Sequence, residues 1–276
     1  MSKYNKLYDE ITAKIIEKLK VGVLPWRKSW KYGLPQNFIT KKTYQGINYL
    51  NLCFEDFPSQ YYLTYLQCKS KEGSVLKGAK SKSIIYWKIS EIEEGNSIRR
   101  VPFLRLSNVF NLSQTTLYEK EVGAATPSLS PQQIIINNMN NIPTIKNNFN
   151  RCYYDSMDDY ISIPPINDFE NHEEYYSALF HEIAHSTGHY SRLNRFADNI
   201  SSSEEELIAE LTSSYLCAVS GISSSTLNNQ AAYLQSWITN LHGDNTFIAR
   251  VSNQAKKACD WILSYQHDQE NQSTAV

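Results

Sequence analysis

Leu179-Phe180-His181-Glu182-Ile183-Ala184-His185-Ser186-Thr187-Gly188-His189 carries the pattern His-Glu-x-x-His. On a helix, His181 and His185 leave the same face one turn apart. That spacing lets two ring nitrogens reach one zinc ion at about 2.0–2.1 Å, and it sets Glu182 beside them to take a proton from zinc-bound water. The helix is expected even without the motif. Asn171 is a good N-cap, Glu174 completes something like a capping box, and Tyr176, Leu179, Phe180 and Ile183 form an apolar stripe. Gly188 is expected to end the helix as a left-handed cap. The plainer alternative is a buried helix that happens to carry two histidines.

The 276 residues suffice for two ordinary domains, and 41% hydrophobic residues provide for a folded core. Five widely spaced cysteines, an odd number with no Cys-x-x-Cys, suit reduced thiols in a cytoplasm and not a disulfide scaffold. No apolar run approaches the roughly 20 residues of a membrane helix, and the N-terminus leads into an amphipathic helix, unlike a signal peptide. Net charge is −1, but residues 1–125 hold 20 Lys and Arg against 11 Asp and Glu, and residues 126–276 hold 7 against 17. A split of +9 and −10 suggests two domains with different partners, the basic one suited to a polyanion. A solvated lysine-rich face would give the same count.

Along the chain, Tyr4, Leu7, Ile11, Ile15 and Leu19 place a helix over 4–20, ended by Gly22 and Pro25. Leu24-Pro25-Trp26-Arg27-Lys28-Ser29-Trp30-Lys31 follows. Two tryptophans interleaved with cations can form a stacking platform for unpaired bases, or equally can be core residues at a domain edge. Gly46 is expected where the backbone turns or approaches something closely. Residues 61–68 read as a helix. A basic turn with Lys77, Gly78, Lys80 and Lys82 feeds a strand through Ile84-Ile85-Tyr86-Trp87, and a second strand covers 101–110. Residues 122–132 read as a linker, and the asparagine-rich 137–150 as compositional drift. Residues 153–164 read as an edge strand, and 228–242 and 246–265 as two further helices.

These features, in order, resemble a known family. Pro25-Trp26 with Trp30, Pro35-x-Asn37 and Tyr44-x-Gly46-Ile47-Asn48 are followed by Thr64-x-x-Gln67, Lys77-Gly78 and Val109-Phe110-Asn111-x-x-Gln114. Over about residues 4–220 this is similar to the ArdC-type antirestriction proteins of plasmids and mobile elements. Ser29 departs from it, standing where the family commonly has a second proline. The resemblance implies an N-terminal single-stranded-DNA-binding domain followed by a zincin-like metallopeptidase domain, and a role in protecting incoming DNA from restriction. The residues expected on DNA are Trp26, Arg27, Lys28, Trp30, Asn37, Lys41, Lys42, Tyr44, Asn48, Lys77, Lys80 and Lys82.

A catalytic zinc needs a third protein ligand. His-Glu-x-x-His-x-x-Gly-x-x-His fails here, because Ser191 stands at the last position. Glu204-Glu205-Glu206-Leu207-Ile208-Ala209-Glu210 offers glutamates on a later helix. By resemblance to gluzincins, Glu206 is the ligand and Glu210 the carboxylate that orients a ligand histidine. Against this, Ser203-x-x-Glu206 is also a capping box, in which case Glu205 or Glu210 is the ligand; alternatively Glu205 caps with Ser202. Arg192 and Arg195 either bind a substrate carboxylate or pair with the acidic helix. Tyr154, Tyr190 and Tyr215 are candidate oxyanion donors.

The expected fold is α+β in two domains. A basic α+β single-stranded-DNA-binding domain spans 1–125, with a linker at 126–132. A mainly helical gluzincin-like zinc metallopeptidase domain with a small edge sheet spans 133–276. The leading function is an antirestriction-type protein that also cleaves a peptide or protein substrate with Zn2+ and Glu182, in the cytoplasm and without a membrane. Two alternatives stand beside it: a DNA-binding antirestriction module with a non-catalytic zinc site, and a peptidase whose basic domain meets an acidic protein.

Overall fold

The computed structural model describes residues 3–26, 34–55, 57–94, 97–118, 132–147, 151–222, 231–244 and 246–263. In chain order these form α1 (Lys3–Lys20), β1 (Gln36–Asn37), α2 (Gly46–Cys53), β2 (Tyr61–Thr64), α3 (Tyr65–Ser70), β3 (Lys82–Glu94) and β4 (Ser97–Asn111). They continue with α4 (Gln132–Asn138), β5 (Thr144–Lys146), β6 (Tyr153–Asp155), β7 (Tyr160–Ser162), α5 (His172–Ser186), α6 (Ser202–Ser220), α7 (Ala231–Gly243) and α8 (Phe247–Ile262). The architecture is α+β, as expected. The chain divides into a sheet unit, Pro35–Thr126, and a mainly helical unit built from Met1–Leu34 with Pro127–Tyr265.

That division differs from a cut at residue 125. α1 packs on α7 and α8, burying Leu7, Ile11, Ile15 and Leu19. The stripe read from the sequence is real, but its partners lie more than 200 residues downstream. The charge is redistributed accordingly. Residues 1–34 hold 8 Lys and Arg against 3 acids, and residues 35–126 hold 12 against 8. More than half of the N-terminal positive excess therefore belongs to the helical unit.

The sheet unit is a four-stranded sheet in the order β1-β2-β4-β3. The long β3–β4 pair is antiparallel from Lys82↔Val109 to Glu94↔Ser97, and β2 adds to β4 with Tyr62↔Asn111 and Thr64↔Val109. Residues 61–68 are thus not one helix. Thr64 ends a strand and N-caps α3, its hydroxyl accepting from Gln67 N while Gln67 Oε1 accepts from Thr64 N. Asn111 and Gln114 make the same reciprocal box at the end of β4. Gly46 opens α2 at φ 57, a left-handed conformation that glycine adopts without strain.

In the helical unit, α5 lies against α6, and both pack on α8. Leu179, Phe180 and Ile183 of α5 join Leu216 and Cys217 of α6 and Ile161 and Ile163 in one apolar core. The small sheet runs β5-β7-β6, with β7 in the middle, so the segment read as a single edge strand is a strand pair, with β6 outermost. Asn171 caps α5 as expected, its Oδ1 accepting from Glu174 N at 2.9 Å. Gly188 does not take a left-handed cap; a Cβ there would lie 2.6 Å from Phe196 Cζ, so the residue is small to admit that ring. All five cysteines are free thiols.

Candidate metal centre and nucleic-acid surface

α5 holds His181 and His185 on one face because they are one turn apart, and α6 packs against α5 and brings its glutamates to them. His181 Nε2 and His185 Nε2 converge to 3.1 Å, and Glu206 Oε1 and Oε2 lie 3.2 and 3.6 Å from those two nitrogens. Among the described residues, this is the cluster of His, Cys, Asp and Glu able to hold a metal ion. Two imidazoles facing each other so closely, with a carboxylate across them, form a donor set that fits a divalent cation.

The start of α6 distinguishes the three glutamates by position. The N-cap is Ser201, whose hydroxyl accepts from Glu204 N at 3.1 Å. Ser203 is already inside the helix and its buried hydroxyl has no partner. Glu206 is therefore free of the capping role and reaches the histidines. Glu210 Oε1 lies 3.4 Å from His181 Nδ1, behind the ring, and Glu205 Oε1 lies 3.1 Å from His185 Nδ1. The sequence had offered Glu205 only as a ligand or a cap; its place behind His185 went unseen, because nothing in the helix pattern distinguishes it from Glu204.

Electrostatics follow from this crowding. Burial opposes charge on His185, but the hydrogen bonds its ring donates to Glu205 and Glu206 push its pKa up to about 10. Burial also opposes ionisation of Glu206, yet hydrogen bonds from His181 and His185 hold its carboxyl well below the usual range. Glu182, only 6% exposed, is raised by burial. A cleft of about 280 Å³ opens beside the triad, lined by His185, Phe196, Ile200, Ser202, Glu205, Glu206 and Tyr233.

Of the two arginines, Arg195 pairs with Glu205 of the acidic helix, and Arg192 pairs with Asp159 in the β6–β7 turn. The Tyr154 hydroxyl donates to Asp159 at 2.7 Å and accepts from Arg192, Tyr190 is 78% exposed, and Tyr215 is buried.

In the sheet unit, several residues expected on DNA are engaged within the fold. Asn48 bonds both backbone groups of Ile85, Nδ2 to O at 2.6 Å and Oδ1 from N at 2.8 Å. Asn37 donates to Gln67 Oε1 at 3.2 Å and to Tyr44 Oη at 3.3 Å, and Tyr44 sits edge-on to Tyr62. Lys82 is ion-paired with Glu55. Trp26 is the clearest correction. Its ring is 0% exposed, edge-on to Trp237 in the helical unit, and its carbonyl accepts from Ser214 Oγ, so it has no face to offer a base. Arg27, Lys28 and Trp30 lie outside the described residues. Lys41, Lys42, Lys77 and Lys80 are exposed. Lys41 Nζ sits 4.6 and 4.1 Å over the rings of Phe38 and Tyr61, an aromatic pair that periodicity does not flag.

Residues 5–110 match the N-terminal domain of the anti-restriction factor ArdC, and residues 134–254 match a zincin-like metallopeptidase family. The metal-free crystal structure of the antirestriction protein ArdC from plasmid R388 superposes with a TM-score of 0.78 at 33% identity, over 92% of this chain and 96% of that one. The chain belongs to the ArdC antirestriction family. Like R388 ArdC, it joins an ArdC-type N-terminal domain to a zincin-like domain. The Mn(II)-bound structure of R388 ArdC matches with a TM-score of 0.74 at 32% identity, over 95% and 98% of the two chains. The chain is also 29% identical, over 97% of its length, to a DNA primase TraC from Escherichia coli, and spans 28% of that relative. The ArdC-type match at the N-terminus takes in α1, which folds with the helical unit.

These findings correct two expectations. R388 ArdC holds Mn(II), not zinc, and two imidazoles with a carboxylate accept either ion. R388 ArdC is folded both with Mn(II) and without metal, and it is an antirestriction protein, so the metallopeptidase reading gives way to a DNA-binding antirestriction module with a metal-binding triad. No helix among the described residues is long and apolar enough to cross a membrane.

Proposed function

We propose that this protein coats single-stranded DNA of an incoming mobile element in the cytoplasm and shields it from restriction by occupancy. The observation that supports this best is the placement of two lysine-bearing loops. The turn with Lys41 and Lys42 is fastened to the start of α3 by the Asn37–Gln67 bond. The loop with Lys77 and Lys80 is fastened beside the end of β4, Leu76 N to Gln114 O at 2.9 Å and Gln114 Nε2 to Lys80 O at 3.2 Å. β2, which leads into α3, pairs with β4, so the motif glutamines hold both cationic loops to neighbouring strands. Ammonium groups on such loops neutralise phosphates, and Tyr65, 57% exposed on α3, offers a ring for stacking.

His181, His185 and Glu206 would hold a divalent ion of the Mn(II) type, a Lewis acid joining α5 to α6. Glu205 orients the His185 ring through its Nδ1, and Glu210 places a carboxylate 3.4 Å from Nδ1 of His181. The test is anisotropy of a labelled oligonucleotide against the whole protein across a salt series. Affinity for single strands should exceed that for duplex and fall with a log–log slope of about −0.7 per phosphate neutralised. Lys41→Ala, Lys42→Ala, Lys77→Ala and Lys80→Ala should each flatten the slope by about that unit. A salt-independent complex, or equal affinity for duplex, sinks the proposal.

A further inference from the structure

We infer that Arg195 is a positioning residue for the metal centre, acting through Glu205 on His185. The inference rests on the reading of His181, His185 and Glu206 as one divalent-ion site. Arg195 opens the 3-10 turn Arg195–Asp198 that joins α5 to α6, and it is 1% exposed. A guanidinium taken out of water is costly unless all its donors are met. Here Nε donates to Glu205 Oε2 at 2.7 Å and Nη2 to Glu205 Oε1 at 2.6 Å, a two-point fork. The other bonds go to the end of the metal helix: Nη1 to Thr187 Oγ1 at 3.0 Å and Nη2 to Ala184 O at 3.2 Å. Ala184 O, one of the last carbonyls of α5, also accepts from Thr187 N at 3.2 Å and Thr187 Oγ1 at 2.6 Å, so the arginine joins the bonds that close the end of that helix.

One side chain therefore bolts a carboxylate of α6 to the last turn of α5. That carboxylate is the one behind His185, Oε1 to Nδ1 at 3.1 Å. A proton on Nδ1, shared with Glu205, leaves the Nε2 lone pair aimed at Glu206 and the converging ring of His181. Without Arg195, Glu205 would be an unpaired charge in a buried place and would turn toward water, releasing the ring. Lysine would supply a charge but not the fork.

The experiment titrates Mn(II) into the full chain and reads the free ion from its solution EPR signal. The wild type should bind one ion, and Glu206→Ala should lose it. Arg195→Met should raise the Kd about 10–100-fold, and Arg195→Lys should recover part of that. Glu205→Gln should weaken binding, and adding Arg195→Met to it should change Kd no further, because the arginine works only through that carboxylate. The double variant also removes the unpaired charge, so it decides the matter if Arg195→Met alone does not fold. A folded Arg195→Met protein with wild-type affinity, or a double variant whose loss is the product of the two single losses, overturns this inference and leaves the metal site standing. A wild type that binds no Mn(II) overturns the metal reading, and this inference with it.

Discussion

Trp26 meets Trp237 edge-on, with ring centroids 5.9 Å apart, and its indole N–H is buried without a partner. Removing such a ring leaves a cavity. Trp26→Ala should destabilise the helical unit by about 3–5 kcal/mol in denaturant titrations, with single-strand affinity unchanged at equal folded fraction. A loss of affinity with no loss of stability would return the ring to DNA. Two tryptophans among cations are ambiguous in a sequence, because stacking platforms and core anchors use the same ring; burial separates them, and burial depends on residue 237. The convergence of His181 and His185 was legible because local spacing alone puts them on one face. His185 also gives a pH prediction. Its folded pKa of about 10 lies above the unfolded value near 6.5, so folding takes up protons. The stabilisation is complete below about pH 6.5 and is lost as pH rises through about 10. Thermal scans of metal-free protein should show Tm falling over that window. Mn(II) must displace the same proton, so its affinity should rise by up to about tenfold per pH unit there.

At the scale of the element, α6 owes its start to Ser201. Ser201→Ala should cost about 1 kcal/mol, and Ser203→Ala should cost much less, because the Ser203 hydroxyl has no partner to lose. The reverse order would put the cap at Ser203 and withdraw Glu206 from the metal. Gly188→Ala should cost about 1–3 kcal/mol, because its methyl would displace Phe196, next to Arg195. Cap chemistry at Asn171 could be read directly, since the cap and its helix are adjacent in sequence. At 61–68 the reading failed for a complementary reason. Thr64-x-x-Gln67 marks a helix start, but Tyr61–Thr64 form a strand because Gln36 and Asn37 on one side and Val109, Phe110 and Asn111 on the other arrive to pair with them.

For the whole molecule, the two-domain plan and its α+β character were legible from composition and motif order, but the ownership of α1 was not. An amphipathic stripe states that a partner exists, not where. A fragment beginning at residue 133 should therefore expose the faces of α7 and α8 that α1 covers, and show greater dye binding and a lower Tm than the full chain. Shielding by occupancy makes a second prediction at this scale: Glu182→Gln should leave both single-strand binding and survival of unmodified incoming DNA in a restricting host intact. Survival lost while binding persists would refute it. The order in which the helical unit is written also matters during synthesis. α1 ends at Lys20 and α7 begins at Ala231, with the whole sheet unit between them. At about 5–20 residues per second, a ribosome leaves the greasy side of α1 unattended for roughly 10–40 s. The sheet unit has time to fold in that interval, whereas α1 must wait for α7 and α8, its apolar stripe open to a holdase in the meantime.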